Sequence, residues 1–220
     1  MLKRKNIREK GKIRLSEYFK QLKPGEIVLV EYSSKDDPVL FTTEAAKWAD
    51  AKKYQVLVTD FFNRVELCLK RAKLEIPQCE ELKKAKFIEI GYREISEVNM
   101  VGFLRGDRDL SALVSEYRQI FDKMASEKFT VVFLFGIERW NIIRNEEIQL
   151  LSVLTTFLGD TRRIAFYIVN RDVLNVTSPK ALALLEELAT TIIEFKKDKR
   201  RKLVVTKALN RELEDHEVEL

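Results

Sequence analysis

Two sets of residues in this chain have types and spacing that can do chemistry. The first is Ser33-Ser34-Lys35-Asp36-Asp37-Pro38, which joins a buried-looking strand, Glu26–Tyr32, to a helix-like stretch from Val39. Such a strand–turn–helix corner holds phosphate when it reads G-x-x-x-x-G-K-[ST]. Glycines then let backbone N–H groups cradle the phosphates, and the lysine reaches the terminal ones. Here the corner has no glycine, and Asp36 and Asp37 repel phosphate. No Ser or Thr follows Lys35 to hold Mg²⁺. The second set is Asp60, Glu89 and Glu138, acids at or just past the ends of apolar runs. Carboxylates at strand ends can hold Mg²⁺ for phosphodiester hydrolysis, because open α/β sheets bind ligands there. The competing and favoured expectation is that they cap the following helices or form ion pairs. His216 is the only histidine and lies in an acidic tail, so histidine-based nucleophilic catalysis and zinc sites are not expected.

Basic residues cluster at three places. Lys3, Arg4, Lys5, Arg8, Lys10, Lys12 and Arg14 face a single acid, Glu9. Lys196 to Lys202 contains Lys199, Arg200 and Arg201. Gly102 to Asp109 places Arg105 and Arg108 beside Phe103, a combination that can contact phosphate and stack on a base. The plainer readings are a solvated arm, a charged hairpin turn, and a surface turn in which Asp109 caps the next helix. Trp140 is either a contact residue or a core residue covering the sheet end, and Trp48 reads as core. Cys68 and Cys79 have no zinc spacing and read as inert thiols.

The 220 residues are enough for one sizeable core, and the hydrophobic fraction of 45% suits a globular chain. The charged fraction of 34%, with two Cys and three Met, resembles hyperthermophile proteins; a highly charged mesophile protein is the alternative. Net charge is +5, weak evidence by itself for a polyanion partner. The longest apolar runs are strand-sized and no secretory signal is visible, so a cytoplasmic protein with no membrane partner is expected.

Strands and helices alternate along the chain. Strands are expected at Glu26–Tyr32, Gln55–Thr59, Phe87–Ile90, Phe129–Phe135 and Arg163–Val169, with an antiparallel pair at Thr191–Phe195 and Lys202–Thr206. Helices are expected at Leu15–Leu22 with Ser16 as N-cap, Phe41–Lys53, Phe61–Leu74, Leu110–Ser126, Glu146–Leu158 and Pro179–Leu188 with Ser178 as N-cap. Val98–Leu104 reads as strand or ordered loop. The pattern predicts an α/β fold with a mainly parallel sheet, helices on both faces and a C-terminal antiparallel hairpin. The expected organisation is a basic arm over 1–14, one domain over 15–209 and an acidic tail over 210–220.

This order of elements resembles the RecA-type core, in particular its clock-ATPase and RadA-like branch. The resemblance is carried by the Pro24-Gly25 turn before the first strand and the strand ending in Asp60. It continues in the long helix leading into Phe129–Phe135, the strand ending at Asn170 and the closing antiparallel pair. The string Val28-Leu29-Val30-Glu31-Tyr32-Ser33-Ser34 also resembles a family of uncharacterised hyperthermophile archaeal proteins, degenerate members of the phosphate-loop class. The resemblance implies a three-layer RecA-like domain. The family's phosphate loop is absent, and no carboxylate follows Phe135 until Glu138, so no catalytic, cofactor-binding or metal residue carries over. The expectation is a non-catalytic interaction or regulatory protein without cofactor, with a protein partner or self-association. The alternatives are nucleic-acid binding through Lys3, Arg4, Lys5, Arg8, Arg105, Arg108, Lys199, Arg200 and Arg201, and a carboxylate-based metal nuclease.

Overall fold

A computed structural model describes residues 11–75, 82, 84–197 and 201–219. Three central strands are apolar on both faces: β2 (Ile27–Tyr32), β6 (Thr130–Phe135) and β7 (Arg163–Asn170). Every residue in them is buried, as in a parallel sheet covered on two sides. Beside them run β3 (Gln55–Phe61), β4 (Lys86–Gly91) and β5 (Asn99–Arg105). On the other flank stand β8 (Thr191–Lys197) and β9 (Arg201–Lys207), with β1 (Lys12–Arg14) and β10 (Glu217–Glu219) at the edge. The ten strands form one sheet in the order β1-β10-β9-β8-β2-β7-β6-β3-β4-β5. All pairs are parallel except β8–β9 and β9–β10.

Side chains alternate across the pleat, and each face of the sheet receives its own layer. Val28, Val30, Phe133 and Phe166 point to α1 (Leu15–Phe19), α2 (Val39–Ala51) and α3 (Arg64–Glu75). Leu29, Val132, Leu134 and Val169 point to α4 (Leu110–Glu127), α5 (Ile137–Arg144), α6 (Glu147–Thr155), α7 (Arg171–Thr177) and α8 (Pro179–Leu188). Aromatic rings tie the first layer together: Phe133 stacks on Phe166 at 5.2 Å, and Phe19 and Phe41 meet Phe166 edge-on. Trp140 is fully buried in the second layer, so it is core.

Several boundaries differ from the sequence expectation. The ambiguous 98–104 segment is strand β5. β3 runs on through Phe61, and α3 starts only at Arg64, because Phe62 and Asn63 take left-handed backbone angles (φ 56 for each). Gly136 makes this corner possible: a Cβ there would lie 2.3 Å from the Phe61 carbonyl oxygen. Arg14, not Ser16, precedes α1, and Ser178 makes no side-chain cap. The short helices α5 and α7 were not expected. Lys12–Arg14 and Glu217–Glu219, read as arm and tail, are edge strands that pair in parallel. Ile13 and Val218 turn inward from them, while Lys12 pairs with Glu219 at 3.1 Å and Lys202 with Glu217 at 2.6 Å.

Candidate functional site

β2 hydrogen-bonds to β7 on one side and β8 on the other. The chain leaves β2 toward β3 and leaves β7 back across β2 to β8, on opposite faces of the sheet. That reversal opens a crevice at the carboxyl ends of β2 and β7, where open α/β sheets place ligands. A cleft of about 290 Å³ lies there. Tyr32, Ser34 and Asp36 line it from β2 and its loop, Arg64 and Leu67 from α3, Glu138, Arg139 and Ile142 from α5, and Asn170 and Val173 from β7 and α7.

The corner at 33–38 is closed by its own carboxylates and by one from α7. The Ser34 N–H donates to Asp172 Oδ2 at 2.9 Å, and the Val39 N–H, the first of α2, donates to Asp37 Oδ1 at 2.9 Å. Ser33 Oγ donates to Asp36 Oδ2 at 2.9 Å and accepts from the Lys35 N–H at 3.2 Å. Asn170 accepts from the Val173 N–H at 3.2 Å and shares a hydrogen bond with Ser34 Oγ. These N–H groups are the donors that a phosphate at a helix N-terminus uses. Here aspartates and an asparagine take them.

Behind the corner sits a buried guanidinium. Arg64 Nε and NH2 donate to Tyr32 Oη at 3.2 and 2.7 Å, and NH1 donates to Cys68 Sγ at 3.0 Å. Glu138 Oε1 is 3.8 Å from Arg64 Nε, an ion pair too long for a direct hydrogen bond. Glu138 is 3% exposed, and its Oε2 has no hydrogen-bond partner among the described residues. Burial raises the Glu138 pKa, opposed by its own and the Asn170 backbone N–H and by Arg64 and Arg139. Burial also raises the Tyr32 pKa, with Glu138 adding to it and Arg64 opposing. Arg64 stays charged: burial works against the cation, but Cys68, Tyr32 and Glu138 outweigh it. Arg139 NH1 donates to the Phe62 carbonyl.

Asp60 behaves as the capping expectation has it. Its Oδ1 accepts from the Arg64 N–H at 2.9 Å and its Oδ2 from the Val65 N–H at 2.8 Å. Its register neighbour Glu89 accepts from the Asn63 N–H at 3.0 Å. Both are fully buried, so burial raises the pKa of each, and the nearby Glu89 carboxylate raises that of Asp60 further. Among the described residues no group of three or more His, Cys, Asp or Glu is placed to hold a metal ion. Glu138 forms its ion pair with Arg64, at 3.8 Å.

Among the nucleic-acid candidates, Lys3, Arg4, Lys5, Arg8, Lys199 and Arg200 lie outside the described residues. Arg201 opens β9 opposite Lys197. Arg105 pairs with Asp107 at 2.6 Å, and Arg108 pairs with Glu116. Asp109 caps α4 by accepting from the Ser111 and Ala112 N–H groups. Cys68 is buried against Arg64, and Cys79 lies outside the described residues. Sequence reasoning missed Arg64, Tyr32 and Asp172. The usable signal for Arg64 was a charged residue four positions after Asp60 on an otherwise apolar helix face.

The strand order, the switch-point cleft and the antiparallel strands at the flank define a RecA-like α/β domain. The chain belongs to the family described as Pyrococcus protein of unknown function, DUF257, whose model matches residues 17–219. A Pyrococcus horikoshii OT3 protein, the subject of the structural study of project PH0250, superposes with TM-score 0.78 at 24% identity over 94% of this chain and 98% of that chain. A KaiC-like protein from the same hyperthermophilic archaeon, PH0186, superposes with TM-score 0.56 at 12% identity over 85% of this chain and 81% of that one. A solved ATPase domain gives TM-score 0.51 at 14% identity over 90% and 86%. These likenesses concern the fold. No protein of curated function matches the chain. Among the described residues no helix is long and apolar enough to cross a membrane.

Proposed function

We propose that the protein is a non-catalytic binding module, a RecA-like scaffold in which the phosphate-handling corner serves structure instead of hydrolysis. The observation that carries this reading is the set of carboxylates on the loop and helix N–H groups. Asp172 on Ser34 and Asp37 on Val39 fill with fixed negative charge the positions a phosphate needs. A bound phosphate would have to displace both and then sit among their charges. No Ser or Thr follows Lys35 as a Mg²⁺ ligand, and no cluster of metal-ligating side chains replaces it among the described residues. The partner in this reading is another protein or a second copy of the chain. Exposed apolar side chains on the second layer, including Ile142, Ile148, Leu158 and Val176, support it.

Isothermal titration with ATP and ADP, with and without Mg²⁺, tests the reading, together with phosphate release over hours at elevated temperature. No saturable heat and no release above a protein-free control are expected. Saturable Mg²⁺-dependent nucleotide binding, or turnover lost in Lys35→Ala, would sink it.

A further inference from the structure

Among the described residues that line the switch-point cleft, one buried side-chain polar atom has no hydrogen-bond partner, and it is an acceptor. The Arg64 nitrogens are used on Tyr32 and Cys68, and an Arg139 nitrogen on the Phe62 carbonyl. The Ser34, Val39 and Val173 N–H groups are used on Asp172, Asp37 and Asn170. The buried group left without a partner is an acceptor, Glu138 Oε2, beside a guanidinium held 3.8 Å from the other oxygen. A buried carboxylate oxygen without a hydrogen bond is costly, and a ligand that supplies the missing donor recovers that cost on binding. The mouth of the cleft is apolar: Leu67 and Ile142 are 38% and 55% exposed, and Val173 stands beside them.

We propose that this cleft takes a small molecule with an N–H donor, ammonium or amide, on a short alkyl body, and excludes phosphates and carboxylates. The donor meets Glu138, and the alkyl part covers Leu67, Ile142 and Val173. Asp36 stands in the wall, Asp172 and Asp37 already hold the Ser34 and Val39 N–H groups an anion would need, and the Arg64 and Arg139 guanidiniums that also line the cleft are directed to Tyr32, Cys68 and the Phe62 carbonyl. This rests on the binding-module reading and names the ligand class for its cleft.

The test uses three probes with one alkyl body: n-butylammonium, butanamide and butyrate. Each is titrated into the ¹⁵N-labelled full chain and followed by amide shifts. Saturable shifts at residues 32–36, 138–142 and 170–173 are expected with the ammonium and the amide, and none with butyrate or inorganic phosphate. Glu138→Gln should weaken the ammonium about tenfold or more. Should that variant unfold, Ile142→Arg at the exposed rim should weaken the ammonium and leave the fold intact. Butyrate or phosphate shifting the same amides as strongly, or no shifts with either donor probe, overturns the proposal. A Mg²⁺–ATP titration of the same sample separates the two readings. Nucleotide binding in the cleft refutes the binding-module reading, whereas silence from nucleotide and donor probes alike refutes only the ligand class.

Discussion

Asp60, Glu89 and Glu31 show how a carboxyl group in this sheet trades solvation for position. Asp60 binds the first two N–H groups of α3, which otherwise lie buried without an acceptor. Replacing it by alanine orphans both, so Asp60→Ala should cost about 2–3 kcal/mol in urea denaturation at pH 5. The cost should shrink at pH 8, because burial first and the facing Glu89 second raise the Asp60 pKa, so the parent loses stability as Asp60 ionises and the variant does not. An undiminished cost at pH 8 would show that Asp60 ionises in the folded protein without penalty. Glu31, on the other face, is 2% exposed, and its pKa is pushed up to about 7 by burial first, then by Glu186 and Glu194, against the pull of Arg171. The folded state therefore holds this proton where the unfolded chain, near 4.5, has released it. Stability contributed by Glu31 falls as pH rises from about 4.5 to 7 and is level above that. Glu31→Gln should accordingly be more stable than the parent by about 1–3 kcal/mol at pH 8, with the difference vanishing toward pH 4.5. Paired urea melts at pH 4.5 and 8 check this, and a pH-independent difference would assign the effect to packing.

Helices and strands differ in how far they could be read from the chain. β2, β6 and β7 were legible because two-sided burial leaves near-continuous apolar runs, with Glu31, Thr130, Arg163 and Asn170 as the polar exceptions near their ends, and the β8–β9 hairpin because two apolar runs flank a basic turn. That residues 33–38 do not read G-x-x-x-x-G-K-[ST] is a property of the sequence itself, local to that corner. α5 and α7 escaped notice: eight and seven residues are too short to show a period, and polar residues interrupt both. β1 and β10 escaped because three residues with charged ends read as arm and tail. The cleft was only half legible. Asp60 and Glu138 stood out as acids, but Arg64 meets Tyr32 and Glu138 only after α3 and α5 pack over the ends of β2 and β6, and no local pattern encodes that meeting. The corner carries its own prediction at this scale. Asp37 accepts from the first N–H of α2, so Asp37→Ala should cost about 1 kcal/mol in thermal or urea melts. It should not create nucleotide binding, because Asp172 still holds the Ser34 N–H. A gain of Mg²⁺–ATP affinity in this single variant would mean that one carboxylate was the whole barrier.

Across the whole molecule, the sheet is closed at one edge by two of its shortest strands. β10 runs antiparallel to β9 and parallel to β1, so it joins the N-terminal part of the described chain to the C-terminal hairpin. His216, the single histidine, is part of this seal. Its ring fills the space over Gly11, where an added Cβ would lie 2.2 Å from Nε2, and the Glu217 N–H donates to the Gly11 carbonyl at 3.0 Å. Val218 and Leu213 are buried against the first-layer core. Removing residues 211–220 would uncover the outer edge of β9 and leave β1 without a neighbour. It would also return Leu203 and Val205, buried in the first-layer core, toward solvent. Losing the burial of Leu213 and Val218 alone should cost about 3–5 kcal/mol. An open β9 edge with unpaired N–H and C=O groups also templates pairing between copies. The truncated chain should therefore melt earlier and run as oligomers in light scattering coupled to size exclusion, where the full chain gives the reference state. If the truncation melted at the parent temperature with an unchanged mass, the edge seal would be ornamental to the fold, and the C-terminal strand would need another reason to be held there.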